Sequence, residues 1–249
     1  MHNNSYINRT YRNWSNSEDL LSFQVTEFET DLFISAEKDL YKEALKSVIL
    51  YRNQIKNYIK THSEFETSFK PVKVIQSAPE IIKDMSEAAL KADVGPFAAV
   101  AGAMAEYVGK DLLNFSSQVI VENGGDIFIS SKKDRVLGIY AGKSPLTGKI
   151  GLLIKTELMP VGVCTSSGTV GHSTSFGKAD AVVIMSKNTS LSDSVATATA
   201  NIIQKPEDIE EAINFALSID GILGIVAIIN SHIGAAGKLE IVRTINNQY

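Results

Sequence analysis

An acidic and a hydroxyl side chain lie one helical turn apart in residues 190–203. Asp193 and Thr197 are four residues apart, so in a helix their side chains face the same direction. Ser192 is a candidate N-cap, which would place Asp193 in the first turn, where its charge suits the helix dipole. A carboxylate and a hydroxyl beside loop carbonyls suit a hard cation such as Mg²⁺. A capped helix with well-packed small residues explains the same pattern, so spacing alone leaves both interpretations open.

A long loop rich in hydroxyl groups comes before this helix. Residues 163–180 contain seven Ser and Thr residues, His172 and Cys164. Hydroxyls and backbone amides in such a loop can hold an anion, although serine and glycine are also the usual residues of a surface loop. A structureless loop longer than about 12–15 residues is uncommon in a compact domain, which favours a functional role. His172 is therefore a candidate catalytic group, whereas Cys164 is expected to be a small buried residue.

Two glycine-rich segments lie earlier in the chain. In residues 93–111, Gly95, Gly102 and Gly109 fall seven apart among alanines, which predicts a thin helix packed closely against a sheet or a flat ligand. The turn before this helix would point backbone groups outward, so Gly95 is a candidate ligand contact. The second segment, residues 121–127, reads VENGGDI, and its two glycines indicate a tight turn between strands.

Composition excludes several classes of protein. The chain has 249 residues, a net charge of −4 and 44% hydrophobic residues, which is typical of a globular protein and not of a disordered chain or a fibre. The slightly acidic balance predicts no nucleic-acid partner. The single cysteine excludes an internal disulfide framework and a cysteine-rich metal site. No apolar run approaches the roughly 20 residues that span a bilayer, and the first twenty residues are polar, so we expect a cytoplasmic protein without a membrane partner.

Hydrophobic periodicity predicts the elements that position these segments. Residues 21–28 and 31–35 predict a β-hairpin, and residues 36–60 predict an amphipathic helix. Pro79 starts a second helix. Further strands are predicted at 118–121, 127–130, 136–140, 150–155, 160–164, 181–185, 222–230 and 239–244, and further helices at 191–203 and 207–219.

This order of elements predicts the class and the organisation of the fold. Helices and strands cluster without strict alternation, which indicates an α+β fold with mixed or antiparallel sheets and packed helices. We expect a polar N-terminal arm over residues 1–16 and one domain over residues 17–249. The aromatic and basic side chains of the arm suggest a subunit contact in a homo-oligomer.

Four segments together resemble the ApbE-like family, the FAD:protein FMN transferases. They occur in the family's order: a glycine-rich helix opening with Asp at residues 93–95, an Asn-Gly-Gly-Asp turn at 123–126, a Thr-Ser-Ser-Gly loop at 165–168, and Asp-Ser-Val-Ala-Thr-Ala at 193–198. The last match is the most specific. The resemblance covers about residues 90–205 and is to an uncharacterised ApbE-related subgroup rather than to the established transferases.

The resemblance implies an ApbE-like α+β domain that binds FAD with Mg²⁺. Asp193 and Thr197 would hold Mg²⁺ with a carbonyl near the first glycine-rich helix, and Mg²⁺ would neutralise the pyrophosphate of FAD. In the family, a Ser or Thr of a target protein attacks the FMN phosphorus and AMP leaves, which depends on positioning and charge stabilisation. The ligand-binding candidates are Gly95, Asn123, Gly124, Gly125, Thr165, Ser166, Ser167 and Gly168.

The chain departs from the family in two motifs. No basic residue follows the first glycines until Lys110, where the family has a Lys, and the family's His-Ile-Ile-Asp-Pro-x-Thr-Gly run is replaced by a different pattern around His172. The leading hypothesis is binding of a flavin nucleotide or another phosphorylated small molecule with Mg²⁺, with FMN transfer as the activity. The alternative is a non-catalytic ligand-binding or assembly protein that retains the fold. A third hypothesis is another Mg²⁺-dependent phosphate chemistry with His172 as base. The sequence identifies neither the ligand nor an acceptor protein.

Overall fold

The first two strands form the hairpin that the sequence predicts. β1 (Leu21–Glu27) and β2 (Thr30–Ala36) pair antiparallel, with Glu27 opposite Thr30. The computed structural model describes residues 19–169 and 176–244, so the predicted arm over residues 1–16 and the candidate base His172 lie outside the described residues.

Within residues 19–169 and 176–244, antiparallel pairing continues through nine more strands, which complete two sheets. They are β3 (Val119–Asn123), β4 (Asp126–Ser130), β5 (Arg135–Gly138), β6 (Ile150–Ile154), β7 (Val161–Ser166), β8 (Ala181–Ser186), β9 (Ile222–Ile229), β10 (His232–Gly237) and β11 (Glu240–Arg243). In the part of the chain that the structure describes, the main sheet has eight strands in the order β1-β2-β3-β4-β7-β8-β9-β10, and a small sheet has the order β11-β6-β5. All neighbouring strands are antiparallel.

Helices cover one face of the main sheet and the small sheet covers the other. The helices are α1 (Tyr41–Ile59), α2 (Glu64–Thr67), α3 (Glu80–Ala92), α4 (Val100–Leu112), α5 (Thr189–Ile202) and α6 (Ile209–Ser218). In β8, Val182 and Ile184 pack among the helices, whereas Val183 and Met185 pack with the small sheet. Burial on both faces explains why this strand is an uninterrupted apolar run.

The α+β class is confirmed, and three of the local differences from the predictions have clear physical causes. α1 begins at Tyr41 and not at residue 36, because Ala36 still pairs with Leu21 in the hairpin. β10 was not predicted, because its sequence HIGAAG consists mostly of small residues without alternation. None of the described helices is long and apolar enough to cross a bilayer.

The third difference concerns the start of α5. Its N-cap is Asn188, whose side chain accepts a hydrogen bond from the Leu191 N–H at 2.6 Å. The prediction that Ser192 caps the helix is wrong, because the Ser192 hydroxyl is buried and donates to the Gly162 carbonyl at 3.1 Å. Asp193 therefore lies one turn further inside the helix than the sequence suggests.

Candidate functional site

Asp193 is buried where α5 crosses the beginning of α4. Its Oδ2 accepts a hydrogen bond from the Gly102 backbone N–H at 2.8 Å, and only 9% of the residue is exposed. A Cβ at Gly102 would lie 2.5 Å from the Thr189 carbonyl oxygen and 2.8 Å from the Asp193 Cβ. Glycine at 102 therefore lets the two helix backbones approach closely enough for this bond to form.

The 123–126 turn lies against the same part of α4. The Asn123 side-chain amide donates to the Ala101 carbonyl at 3.1 Å. Gly124 and Gly125 have φ values of 69° and 109°, a left-handed region that favours glycine. The Gly125 N–H donates to Glu122 Oε1 at 2.8 Å, which fixes the shape of the turn.

Asp126 connects this turn to the end of β7. The Thr165 backbone N–H and the Cys164 thiol donate hydrogen bonds to the Asp126 carboxylate. A Cβ at Gly125 would lie 3.8 Å from the Thr165 carbonyl oxygen, so the turn packs against the end of β7. Four sequence segments thus meet at residues 101–102, residues 123–126, Thr165 and Asp193, and we call this meeting point the junction. Asp126, the last residue of the Asn-Gly-Gly-Asp motif, lies at the junction although no role was predicted for it; its place after two glycines and before an apolar strand was a usable signal.

Burial perturbs both carboxylates of the junction. Burial raises the pKa of Asp126 to about 7, and the charge of Glu122 adds to the shift. Burial also raises the pKa of Asp193 well above its usual range, and repulsion from Asp126 adds to it, while the backbone N–H groups of Gly102 and Ala101 oppose it. The Cys164 thiol is buried, as the sequence predicted, and its pKa is raised by burial.

The residues of the junction fit a divalent cation. Asp126 Oδ1 is a buried oxygen without a hydrogen-bond partner, and across the described ranges no Lys or Arg forms an ion pair with Asp126 or Asp193. Burial and mutual repulsion disfavour the charged forms of both carboxylates, and a bound cation would offset that cost. Within residues 19–169 and 176–244, no cluster of three or more His, Cys, Asp or Glu side chains could hold a metal, so hydroxyl and carbonyl oxygens would complete the ligands.

Thr197 is the hydroxyl that lies on the same side of α5 as Asp193. From residue 189 to residue 200, all the other residues of α5 are buried, whereas Thr197 is partly exposed. The pair Asp193 and Thr197 therefore runs from the buried junction towards the surface along one face of the helix.

Protein side chains already occupy the N-terminus of α5. Glu106 accepts a hydrogen bond from the Thr189 N–H, and Asp84 accepts hydrogen bonds from the Asn188 amide at 2.7 Å and from the Ser190 hydroxyl at 2.8 Å. Burial raises the pKa of Asp84. Because these donors already have acceptors, this helix terminus is not free to bind an anion.

The hydroxyl-rich loop begins next to the junction. Thr165 and Ser166 end β7, and Ser167 and Gly168 follow. The Gly168 N–H donates to the Ala179 carbonyl at 2.8 Å, which holds the two ends of the loop together. Thr165 therefore belongs to the junction, and the other predicted loop contacts lie progressively further along the chain from it.

Gly95 lies apart from the junction, at the start of the short 3₁₀ turn Pro96–Ala99. A Cβ there would lie 1.7 Å from the Ser68 carbonyl oxygen. Close packing against residue 68 accounts for this glycine. The segment reaches the junction six residues later, at Ala101.

Comparison with known proteins gives a consistent result. The family model described as AbpE bacteria matches residues 12–246. A UPF0280 protein of Methanocaldococcus jannaschii is 42% identical over 224 residues, which is 87% of this chain and 91% of that protein. A UPF0280 protein of Methanothermobacter thermautotrophicus is 37% identical over 212 residues, with 83% of this chain and 82% of that protein covered.

Solved structures share the fold at low sequence identity. The apo flavinyl transferase ApbE of Pseudomonas stutzeri aligns with a TM-score of 0.60 at 11% identity, covering 88% of this chain and 94% of that chain. The ApbE protein of Thermotoga maritima aligns with a TM-score of 0.56 at 12% identity, covering 87% and 97% respectively. The ApbE-like fold and the resemblance to an ApbE-related subgroup are therefore confirmed.

Proposed function

This chain belongs to the AbpE bacteria family, and we propose that it binds a flavin nucleotide, or a related phosphorylated ligand, together with Mg²⁺ beside the junction. The observation that carries the proposal is the meeting of four separate sequence segments at Asp193. Each of these segments was implicated in ligand or metal binding by the resemblance to the ApbE-like family. A purely structural role does not require two buried carboxylates without a counterion.

Asp193 and Thr197 are the proposed cation ligands, with a backbone carbonyl of the glycine-rich segment as a third. When bound, Mg²⁺ supplies charge neutralisation for the phosphate oxygens of the ligand. Gly124 is the proposed edge of the ligand site, because a Cβ there would meet no atom within 4 Å and its backbone is open to a ligand. Asn123 positions this edge through its bond to Ala101.

FMN transfer is the activity that we propose for the bound nucleotide. A hydroxyl oxygen of an acceptor protein attacks the phosphorus of the FMN half of FAD, the bond from that phosphorus to the AMP oxygen breaks, and AMP leaves. The hydroxyl proton needs a base, and His172 is the candidate. The name of the Pseudomonas stutzeri relative, a flavinyl transferase, supports this reaction class.

Binding without transfer is the second candidate function, and a specific observation favours it. Residues 97–100 read FAAV, so no basic side chain follows the first glycine-rich turn. The next lysine, Lys110, is paired with the buried Glu106 at 2.6 Å. A site without a positively charged side chain would bind phosphate mainly through Mg²⁺. That contact is sufficient for binding, but it stabilises the charge of a transition state less well.

Calorimetric titration of the purified protein with FAD, with and without Mg²⁺, tests the proposal. We expect binding that depends on Mg²⁺ and is lost in Asp193→Asn. Absence of FAD binding under both conditions would refute it. Incubation with FAD, Mg²⁺ and a Thr-containing acceptor peptide separates the two candidates, because transfer releases AMP in a ratio of one to each flavinylated peptide and simple binding releases none.

A further inference from the structure

β10 leaves one edge of the main sheet open. It is the last strand in the sheet order, so among the described residues its outer edge pairs with no other strand. Of the four edge strands in the two described sheets, β1, β5, β10 and β11, only β10 contains no Asp, Glu, Lys or Arg. Its register with β9 runs from His232 to Gly237 without a bulge. Charges, prolines and bulges are the usual protection of a free edge, so β10 is a template for a further strand.

The hydrogen bonds of β9 show which backbone groups of β10 point outwards. The Ile228 carbonyl accepts from the Asp180 N–H at 2.8 Å, so Ile228 bonds towards β8 and not towards Ile233, its partner in β10. Inward and outward groups alternate along an antiparallel strand. The residues that present their N–H and C=O groups to the free edge are therefore Ile233, Ala235 and Gly237.

Small residues and a groove flank this edge. A Cβ at Gly234 would lie 2.3 Å from Ile209 Cγ2, so this glycine lets β10 lie close against α6. On the opposite face of the strand Ala235 is exposed, and Ile233 is 42% exposed. The groove between α6 and β10 has apolar and acidic side chains in its lining, which includes Ile209, Ile213, Ile233, Glu207, Glu210 and His232.

The edge matches itself in one antiparallel register. With a two-fold axis at Ala235, this residue faces Ala235 of the second copy, and Ile233 faces Gly237 at both ends of the pairing. All three outward-pointing residues of each copy then form hydrogen-bonded pairs. Facing side chains lie on the same side of a sheet, so the large Ile233 meets a glycine and the two alanines meet each other without a clash.

Charge complementarity favours a second copy as the occupant of the edge. The same register places Lys238 of the second copy opposite His232, at the groove that Glu207 and Glu210 line. Lys238 and both glutamates are exposed, and none of the three forms an ion pair as far as the structure describes the chain. Two-fold symmetry repeats this approach of opposite charges at the other end of the pairing.

We propose that the chain forms a two-fold symmetric homodimer through antiparallel pairing of β10 with β10 of a second copy. The pairing joins the two eight-stranded sheets into one continuous sheet, which satisfies the free backbone groups of both edges. It does not rest on the proposed ligand site, because no residue of the junction belongs to β10 or α6.

Sedimentation velocity of the full chain over the micromolar range tests the dimer. We expect the wild type to sediment at twice the mass of one chain. Ala235→Glu places two like charges face to face at the two-fold axis and should raise the dimer dissociation constant at least about tenfold. The matched control, Ile241→Glu, adds the same charge at a 36% exposed position of the edge strand β11 and should leave the dimer unchanged.

Oxidative cross-linking of Ala235→Cys tests the register. A hydrogen-bonded antiparallel pair brings its two Cα atoms to about 5.5 Å, which a disulfide spans. The native Cys164 is buried, so oxidation with copper phenanthroline should link two Ala235→Cys chains and leave the wild type unlinked. The control Ile241→Cys should give no comparable dimer.

The outcomes are decisive for the dimer and leave the proposed function untouched. A wild type that stays monomeric throughout, or a dimer that Ala235→Glu does not weaken, would refute the proposal. Failure of Ala235→Cys to cross-link would also overturn it, because another segment or another register would then occupy the edge. Circular dichroism verifies that Ala235→Glu is folded, and if that variant unfolds the cross-linking result decides.

Discussion

Gly102→Ala is the most informative single perturbation of the junction. The added methyl group would lie 2.5 Å from the Thr189 carbonyl oxygen and 2.8 Å from the Asp193 Cβ. Neither neighbour is the free end of a flexible side chain, so α4 and α5 must move apart. That movement breaks the 2.8 Å hydrogen bond from the Gly102 N–H to Asp193.

The expected cost follows from three contributions. Overpacking a well-packed interior costs about 1–3 kcal/mol. Leaving a buried acceptor without its donor costs about 1–3 kcal/mol. Alanine gains about 1 kcal/mol over glycine in a helix interior, so the net loss should be about 1–5 kcal/mol. For a protein of this length that lowers the melting temperature by roughly 2–20 °C.

Urea denaturation followed by circular dichroism measures this loss, and Gly124→Asn is the matched control. Gly124 has a positive φ of 69° but no atom within 4 Å of its Cβ position, and asparagine tolerates that conformation. The control should change stability by less than about 1 kcal/mol. If Gly102→Ala is as stable as the control, the close approach of α4 to α5 is incorrect, and the geometry of the junction with it.

Three further predictions concern the charged groups. Because burial raises the pKa of Asp126 to about 7, the folded state favours its protonated form. The contribution of Asp126 to the stability of the protein should therefore be greatest below about pH 4 and fall as pH rises through 7. Asp126→Asn should flatten that slope in urea unfolding measured from about pH 4 to pH 8.5. Asp193→Asn should stabilise the ligand-free protein at pH 8, since the neutral amide carries no cost of burying or protonating a carboxylate and keeps an oxygen for the Gly102 N–H; a lower melting temperature would contradict this. Arg135→Met should destabilise the protein at pH 7, because Arg135 is buried and pairs with Asp19, holding the pKa of that carboxyl well below its usual range. The difference from wild type should begin to shrink only as pH falls below about 4, where the unfolded chain protonates Asp19 while the folded protein keeps it charged.

Local signals in the sequence were sufficient for most of the fold. The alternation in residues 21–35 predicted the first hairpin, and the apolar run at 181–185 predicted a strand buried on both faces. β10 escaped prediction because its glycines and alanines carry no periodic pattern, and its position depends on pairing with β9.

The candidate site was predictable in its residue types and not in its contacts. Spacing placed Asp193 and Thr197 on one helix face, which fits α5 as observed. Spacing could not show that Asn188 caps the helix in place of Ser192, because both residue types are good caps. It also could not show that Gly102 donates to Asp193 across 91 residues of chain, because that contact depends on how two helices cross.

The central claim is that Asp193 and Thr197 together bind a divalent cation that holds a phosphorylated ligand. The most direct measurement is a titration of Mn²⁺ into the protein with saturating FAD, in which electron paramagnetic resonance quantifies the free Mn²⁺. The same titration into FAD without protein is the reference. The account predicts one tight Mn²⁺ site per chain in wild type that weakens at least about tenfold in Asp193→Asn and in the isosteric Thr197→Val. Equal Mn²⁺ affinity in wild type and both variants would contradict it.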